Sequence, residues 1–165
     1  MGDHGARQLT PLLPRRLIRR DRQGRFRLQL AADDRAVLKT LAPQFRALLE
    51  DPAQPVLRRL FPPAYSDPAH EAQQEEYRRL MQDDLVERHR EELDLLAATA
   101  DAETLTEEQL LAWTRALNSL RLVLGTFLDV TEEDERRRPS SPEEALYGWL
   151  TYLLGETIDA LDGQT

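Results

Sequence analysis

Cysteine is absent from all 165 residues, which removes disulfides, thiolate nucleophiles, cysteine-ligated metals and thiol redox sensing together. Lysine is almost missing as well: Lys39 stands alone among 22 basic residues, the rest being arginine. The seven glycines are scattered and no lysine follows any of them, so no glycine-rich loop can cradle a phosphate. No serine occupies a nucleophile elbow. Long apolar runs are lacking too. The richest stretch, "LNSLRLVLGTFLDV" at 117–130, is interrupted by Arg121 and falls short of the roughly 20 uncharged residues a membrane-spanning helix needs. Near the N-terminus, "LTPLLP" is too short and too proline-broken for a signal peptide. The expectation is a cytoplasmic chain without membrane contact.

What remains is a charged, foldable composition. The length suits one domain with a core, and apolar and charged shares of 41% and 32% are those of a folded soluble protein. The net charge of −8 hides an asymmetry, since residues 1–30 hold eight arginines against two aspartates. That segment is therefore strongly basic and the remainder strongly acidic. Most of the surface should repel nucleic acid, whereas a local basic arm could still bind it.

Residues 1–14 show no periodicity and are read as a loose tail preceding a single helical domain over 15–163. In "RLIRRDRQGRFRLQL", Phe26, Leu28 and Leu30 alternate with Arg25, Arg27 and Gln29, and "DRQG" supplies turn chemistry. The pattern predicts a β-hairpin of about 16–20 with 25–30, apolar on one face and arginine-lined on the other. A helix follows, capped by Asp33 or Asp34, with Val37, Leu38, Leu41, Phe45, Leu48 and Leu49 at helical spacing. Pro43 should kink or divide it near Leu41. The proline-rich "EDPAQPVLRRLFPPAYSDPAH" is a connection with one short helical turn near Val56–Leu60. A long helix is expected over about 69–98, with Tyr77, Leu80, Met81, Leu85, Leu93 and Leu96 as its core stripe. "DAETLT" ends it. Thr106 with Gln109 forms a capping box for a helix running to about Asp129, and Ser141, Pro142 and Glu144 form a second for a helix over 142–161. The intervening "TEEDERRRPSS" reads as a solvated loop. The fold class is mainly α: a helical bundle of about four main helices with an N-terminal β-hairpin, the two C-terminal helices innermost.

Chemistry is sparse in this pattern. His4 falls in the tail and His70 near a helix start, while His89 lies between Leu85 and Leu93 and reads as a boundary residue bonded to backbone or water. The doublets Asp83–Asp84, Glu91–Glu92 and Glu107–Glu108 point about 100° apart on a helix, so they read as a solvated face, not as acid/base pairs. No cofactor or metal is expected. Two arginine features stand out. Arg121, on the most apolar helix, must be partnered. Either it bonds Asp84, Glu144 or helix-end carbonyls, or it receives an anionic ligand in a cleft. Gly125 nearby suggests a close approach to Gly148 or Gly155. Arg16, Arg19, Arg20, Arg25 and Arg27 (with Arg22) could hold nucleic-acid phosphates like a wing, or meet the protein's own acidic surface or another subunit. No helix is basic enough to serve as a recognition helix.

Four segments carry a family resemblance: "LFPPAYSD" with "EYRRLMQDDL", then "LNSLRLVLGTFLDVTEED", then "ALYGWLTYLLGETIDAL". In this order, and over about residues 15–162, they resemble the actinobacterial AosR-like family, long described as a domain of unknown function and named after an oxidative-stress transcriptional regulator. The resemblance implies a cytoplasmic helical protein acting through protein contacts in gene regulation. The family's thiol chemistry rests on a cysteine pair, for which this chain has no matching position, so that mechanism does not carry over. Met81, the only internal methionine, is a poor substitute on a core stripe. The expected function is thus non-enzymatic regulation through a protein partner, with DNA contact by the arginine hairpin and self-association along the tryptophan and leucine edge of the last helix as further expectations. A small-anion site or enzyme centred on Arg121 is the alternative.

Overall fold

Asp21 reverses the chain in the N-terminal hairpin. Its carboxylate accepts hydrogen bonds from Gln23 N and Arg25 N, both 2.9 Å, and Gly24 takes the positive φ of +79° that closes the turn. The computed structural model describes residues 15–61, 68–131, 133 and 138–163. The proposed tail at 1–14, His4 within it, and part of the "TEEDERRRPSS" connection lie outside them.

Strands β1 (Ile18–Arg20) and β2 (Phe26–Leu28) pair antiparallel, shorter than the hairpin read from alternation. A third strand, β3 (Thr104–Leu105), adds to β2 and makes a three-stranded sheet in the order β1-β2-β3. Two residues are too few to show a period, so this strand was invisible in "DAETLT".

Helix α1 (Ala32–Leu48) starts at least two residues earlier than the capping reading allowed. Ala31 is the N-cap and gives no side-chain bond; Asp33 and Asp34 sit inside the first turn, where they complement the helix dipole instead. Pro43 does not divide α1. The loss of one backbone donor is tolerated because Leu38, Ala42 and Phe45, on either side of it, are buried against the core. After a short 3₁₀ turn at Pro55–Leu57 and another at Pro68–His70, helix α2 spans Glu71–Thr99. Of its expected stripe, Leu93 and Leu96 are buried and Leu85 is half-buried, but Tyr77, Leu80 and Met81 are 65%, 62% and 52% exposed; Val86, outside the stripe, is buried instead. The first part of α2 projects past the core, so spacing alone misjudged it.

Helices α3 (Glu107–Phe127) and α4 (Pro142–Leu161) are the interior pair. Leu110, Trp113, Leu117, Leu150 and Leu153 are buried at their contact and under the sheet. Trp113 also donates from Nε1 to Thr99 Oγ1 at 2.7 Å, tying α3 to the end of α2. The Thr106–Gln109 capping box is complete in both directions. At α4 only half of the expected box forms. Ser141 Oγ accepts from Glu144 N, while the Glu144 carboxylate accepts from Ser140 N and Oγ. Ile158, apolar and in line with the leucines of α4, is nevertheless 43% exposed.

Arg35 joins the layers. Its guanidinium donates to the carbonyls of Ala102 (2.7 Å), Ala100 (2.9 Å), Leu30 (3.1 Å) and Leu28 (3.3 Å). One side chain thus staples the β2–α1 junction to the α2–β3 junction.

Candidate functional site

In an antiparallel pair, residues directly opposite share a face. Ile18 and Leu28 therefore point together into the core with Phe26, and Arg19 and Arg27, also opposite each other, point together outward. Thr104, opposite Arg27 on β3, extends the outer row, and Arg25 Nε donates to its Oγ1 at 3.1 Å. Among the described residues neither Arg19 nor Arg27 forms an ion pair. Like charges placed opposite each other destabilise a sheet. The other two predicted residues turn back to the protein. Arg16 pairs with Asp159 at 3.0 Å and Glu156 at 3.7 Å, while Arg20 reaches Glu107 at 3.5 Å and lies over the Phe26 ring. The sheet therefore splits the set: Arg16 and Arg20 anchor it, and Arg19, Arg25 and Arg27 make an exposed cationic face.

Arg121 is half-buried. Its Nη1 donates to the Tyr147 hydroxyl at 3.2 Å and its guanidinium lies 5.9 Å from that ring's centre. Tyr147 also explains Gly125. A Cβ there would stand 2.9 Å from Tyr147 Cε2, whereas Gly148 and Gly155 face open space. The helix is thinned to admit a tyrosine ring, not another glycine. An apolar cavity of ≈ 500 Å³ opens beside α3, lined by Phe45, Leu48, Leu120, Leu124 and Phe127 among others; Arg121 is not part of its wall.

A polar cluster went unread in the sequence. Glu92, taken as half of a solvated doublet, is 7% exposed. Its carboxylate lies 3.8 Å from His89 Nδ1, and the same nitrogen lies 3.3 Å from Ser119 Oγ. Burial, reinforced by Arg88, lowers the His89 pKa below 6.5; burial raises that of Glu92, with Arg115 and Arg88 pulling the other way. Serine, histidine and carboxylate here do not form a nucleophilic relay, because both oxygens address one ring nitrogen while a relay needs one on each. Ser119 is itself buried and donates to the Arg115 carbonyl. The signal in the sequence is the i,i+3 spacing of His89 and Glu92, which puts the two side chains next to each other on one side of α2.

A groove of ≈ 820 Å³ runs along the first half of α2, facing the Pro52–Phe61 segment. Phe61, Tyr77, Met81 and Leu85 supply its apolar surface. No group of three or more metal-ligand side chains occurs among the described residues, and none of their helices is long and apolar enough to cross a membrane.

Residues 15–161, nearly all of the chain, match the family model described as "Domain of unknown function (DUF2017)". The chain belongs to the DUF2017 family. Among curated proteins it is 29% identical over 171 residues to the "Oxidative stress regulator AosR" of Mycobacterium tuberculosis and to that of Mycobacterium bovis, covering 78% of this chain and 78% of each relative. The resemblance carried by the four sequence segments is borne out. No solved structure matches this DUF2017 chain.

Proposed function

We propose that this DUF2017 protein is a non-enzymatic regulator that works by surface contact, docking the outer face of its β-sheet on an acidic surface of a protein partner in the cytoplasm. One observation carries the reading: Arg19 and Arg27 are held side by side, with no ion pair among the described residues to offset them, on a chain of net charge −8. An arrangement that weakens the sheet is relieved when an anionic partner covers it. The similarity to a protein named as an oxidative stress regulator supports a regulatory role, and the lack of cysteine means that any signal it receives does not pass through a thiol.

The test is the double charge reversal Arg19→Glu with Arg27→Glu. Both side chains are exposed, so folding should persist, while affinity capture from the native host should lose the partner. Unchanged capture would remove the sheet face from the account. A gel shift on duplex DNA that disappears with the same substitution would reassign the face to nucleic acid. The second reading is a small-anion site at Arg121, whose half-buried guanidinium carries more donors than the one given to the Tyr147 hydroxyl. It predicts an anion-dependent rise in melting temperature that Arg121→Gln abolishes. Self-association along α4, where Tyr152 and Ile158 are exposed, is tested by light scattering.

A further inference from the structure

The groove along α2 has a charge pattern at odds with the rest of the acidic body. Arg58, Arg78 and Arg88 line it, against the single carboxylate of Asp84. None of the three arginines forms an ion pair among the described residues, although the α2 arginines outside the groove do: Arg79 pairs with Glu75 and Arg90 with Glu87. Between them lies apolar surface that the described residues do not cover, chiefly Tyr77 and Met81. Aromatic, methionine and arginine side chains together are the composition enriched at protein interfaces. Arg78 and Arg88 are ten residues apart, about 15 Å along the helix, which is too far for one compact anion to bridge. Their spacing calls for an elongated ligand with several separated negative charges.

We propose that this groove is the docking site for an acidic amphipathic helix of a protein partner. The helix lays apolar side chains on Tyr77 and Met81 and sets carboxylates against Arg58, Arg78 and Arg88. A nucleic-acid strand fits less well. Its charge is evenly spaced, so phosphates would fall against Asp84 and against Asp83 and Glu87 beside it, whereas a peptide can place a neutral residue there. This surface is separate from the sheet face, and the proposal does not rest on that reading.

The probe is a synthetic peptide of about 18 residues, five helical turns, with leucines on one face and glutamates flanking them. Its controls are the twin in which every glutamate is glutamine and a single-stranded oligonucleotide. In calorimetric titration against the full chain, the acidic peptide should bind, and the glutamine twin should bind about tenfold more weakly. Arg58→Glu with Arg88→Glu should weaken binding of the acidic peptide by about the same factor. Met81→Glu should weaken it independently. These side chains are exposed, so the fold, followed by circular dichroism, should persist. Arg19→Glu with Arg27→Glu should leave the titration unchanged, which separates a failure here from a failure of the sheet face. Absence of binding, equal binding of both peptides, or tighter binding of the oligonucleotide would overturn the proposal.

Discussion

Replacing Arg35 with alanine should unfasten the sheet from the helices. The guanidinium donates to four carbonyls, two of them at 2.7 and 2.9 Å beyond the end of α2. A hydrogen bond from a charged donor contributes about 1.5–3 kcal/mol when short and sheltered, and less when long or wet. Arg35 is half-buried and water can replace part of the lost bonding, so the two short bonds dominate and the expected loss is about 3–4 kcal/mol. For a domain of this size that corresponds to a fall of about 10 °C in melting temperature. Urea unfolding followed by circular dichroism measures it, with an unchanged m-value as the sign that the end states are the same. Amide exchange should also quicken in β2 and β3, whose backbone the arginine holds together. Arg35→Lys should recover less than half of the loss, because a compact ammonium cannot span carbonyls that a planar fork reaches. A loss below about 1 kcal/mol for the alanine variant would show that the four bonds are replaced by water at no net cost, refuting the stapling account.

Gly125→Ala should destabilise by about 1–2 kcal/mol even though alanine is the better helix former, because the new methyl meets the buried Tyr147 ring. Coupling to Tyr147→Leu in a double-mutant cycle checks it, since the smaller side chain should absorb the clash. For His89, the folded state holds the imidazole neutral below the unfolded value of 6.5. Stability present above pH 6.5 should therefore fall as the pH drops from there toward the lowered folded pKa, and His89→Gln should remove that slope. Glu92 acts in the opposite direction. Its folded pKa lies above 4.5, so stability falls as the pH rises from 4.5 to that folded value, and Glu92→Gln should raise stability in neutral urea titrations. Thr106→Ala should cost about 1 kcal/mol by deleting the capping box, and an unaltered unfolding midpoint would contradict the geometry.

Local chemistry was legible wherever a few adjacent residues carried all of it. The Asp21–Gly24 turn, the Thr106 box, the start of α4 at Pro142 and the in–out alternation of Phe26, Arg27 and Leu28 all depend on backbone geometry within one turn or one strand. Those features, the mainly helical class and the family were therefore determined by the sequence itself. Tertiary structure decided everything that needed a second segment. β3 is two residues long and exists because β2 offers it an edge. Tyr77 and Met81 have the spacing of core residues, yet nothing in the described fold packs over them. Glu92 looks solvated beside Glu91, but a helix rotates neighbours by about 100°, and only the position of α3 shows which of the two is covered. The arginines divide the same way. Arg27 stands opposite Arg19 through the register of a local hairpin, whereas Arg16 closes on Asp159 only through the approach of α4, which no local pattern encodes.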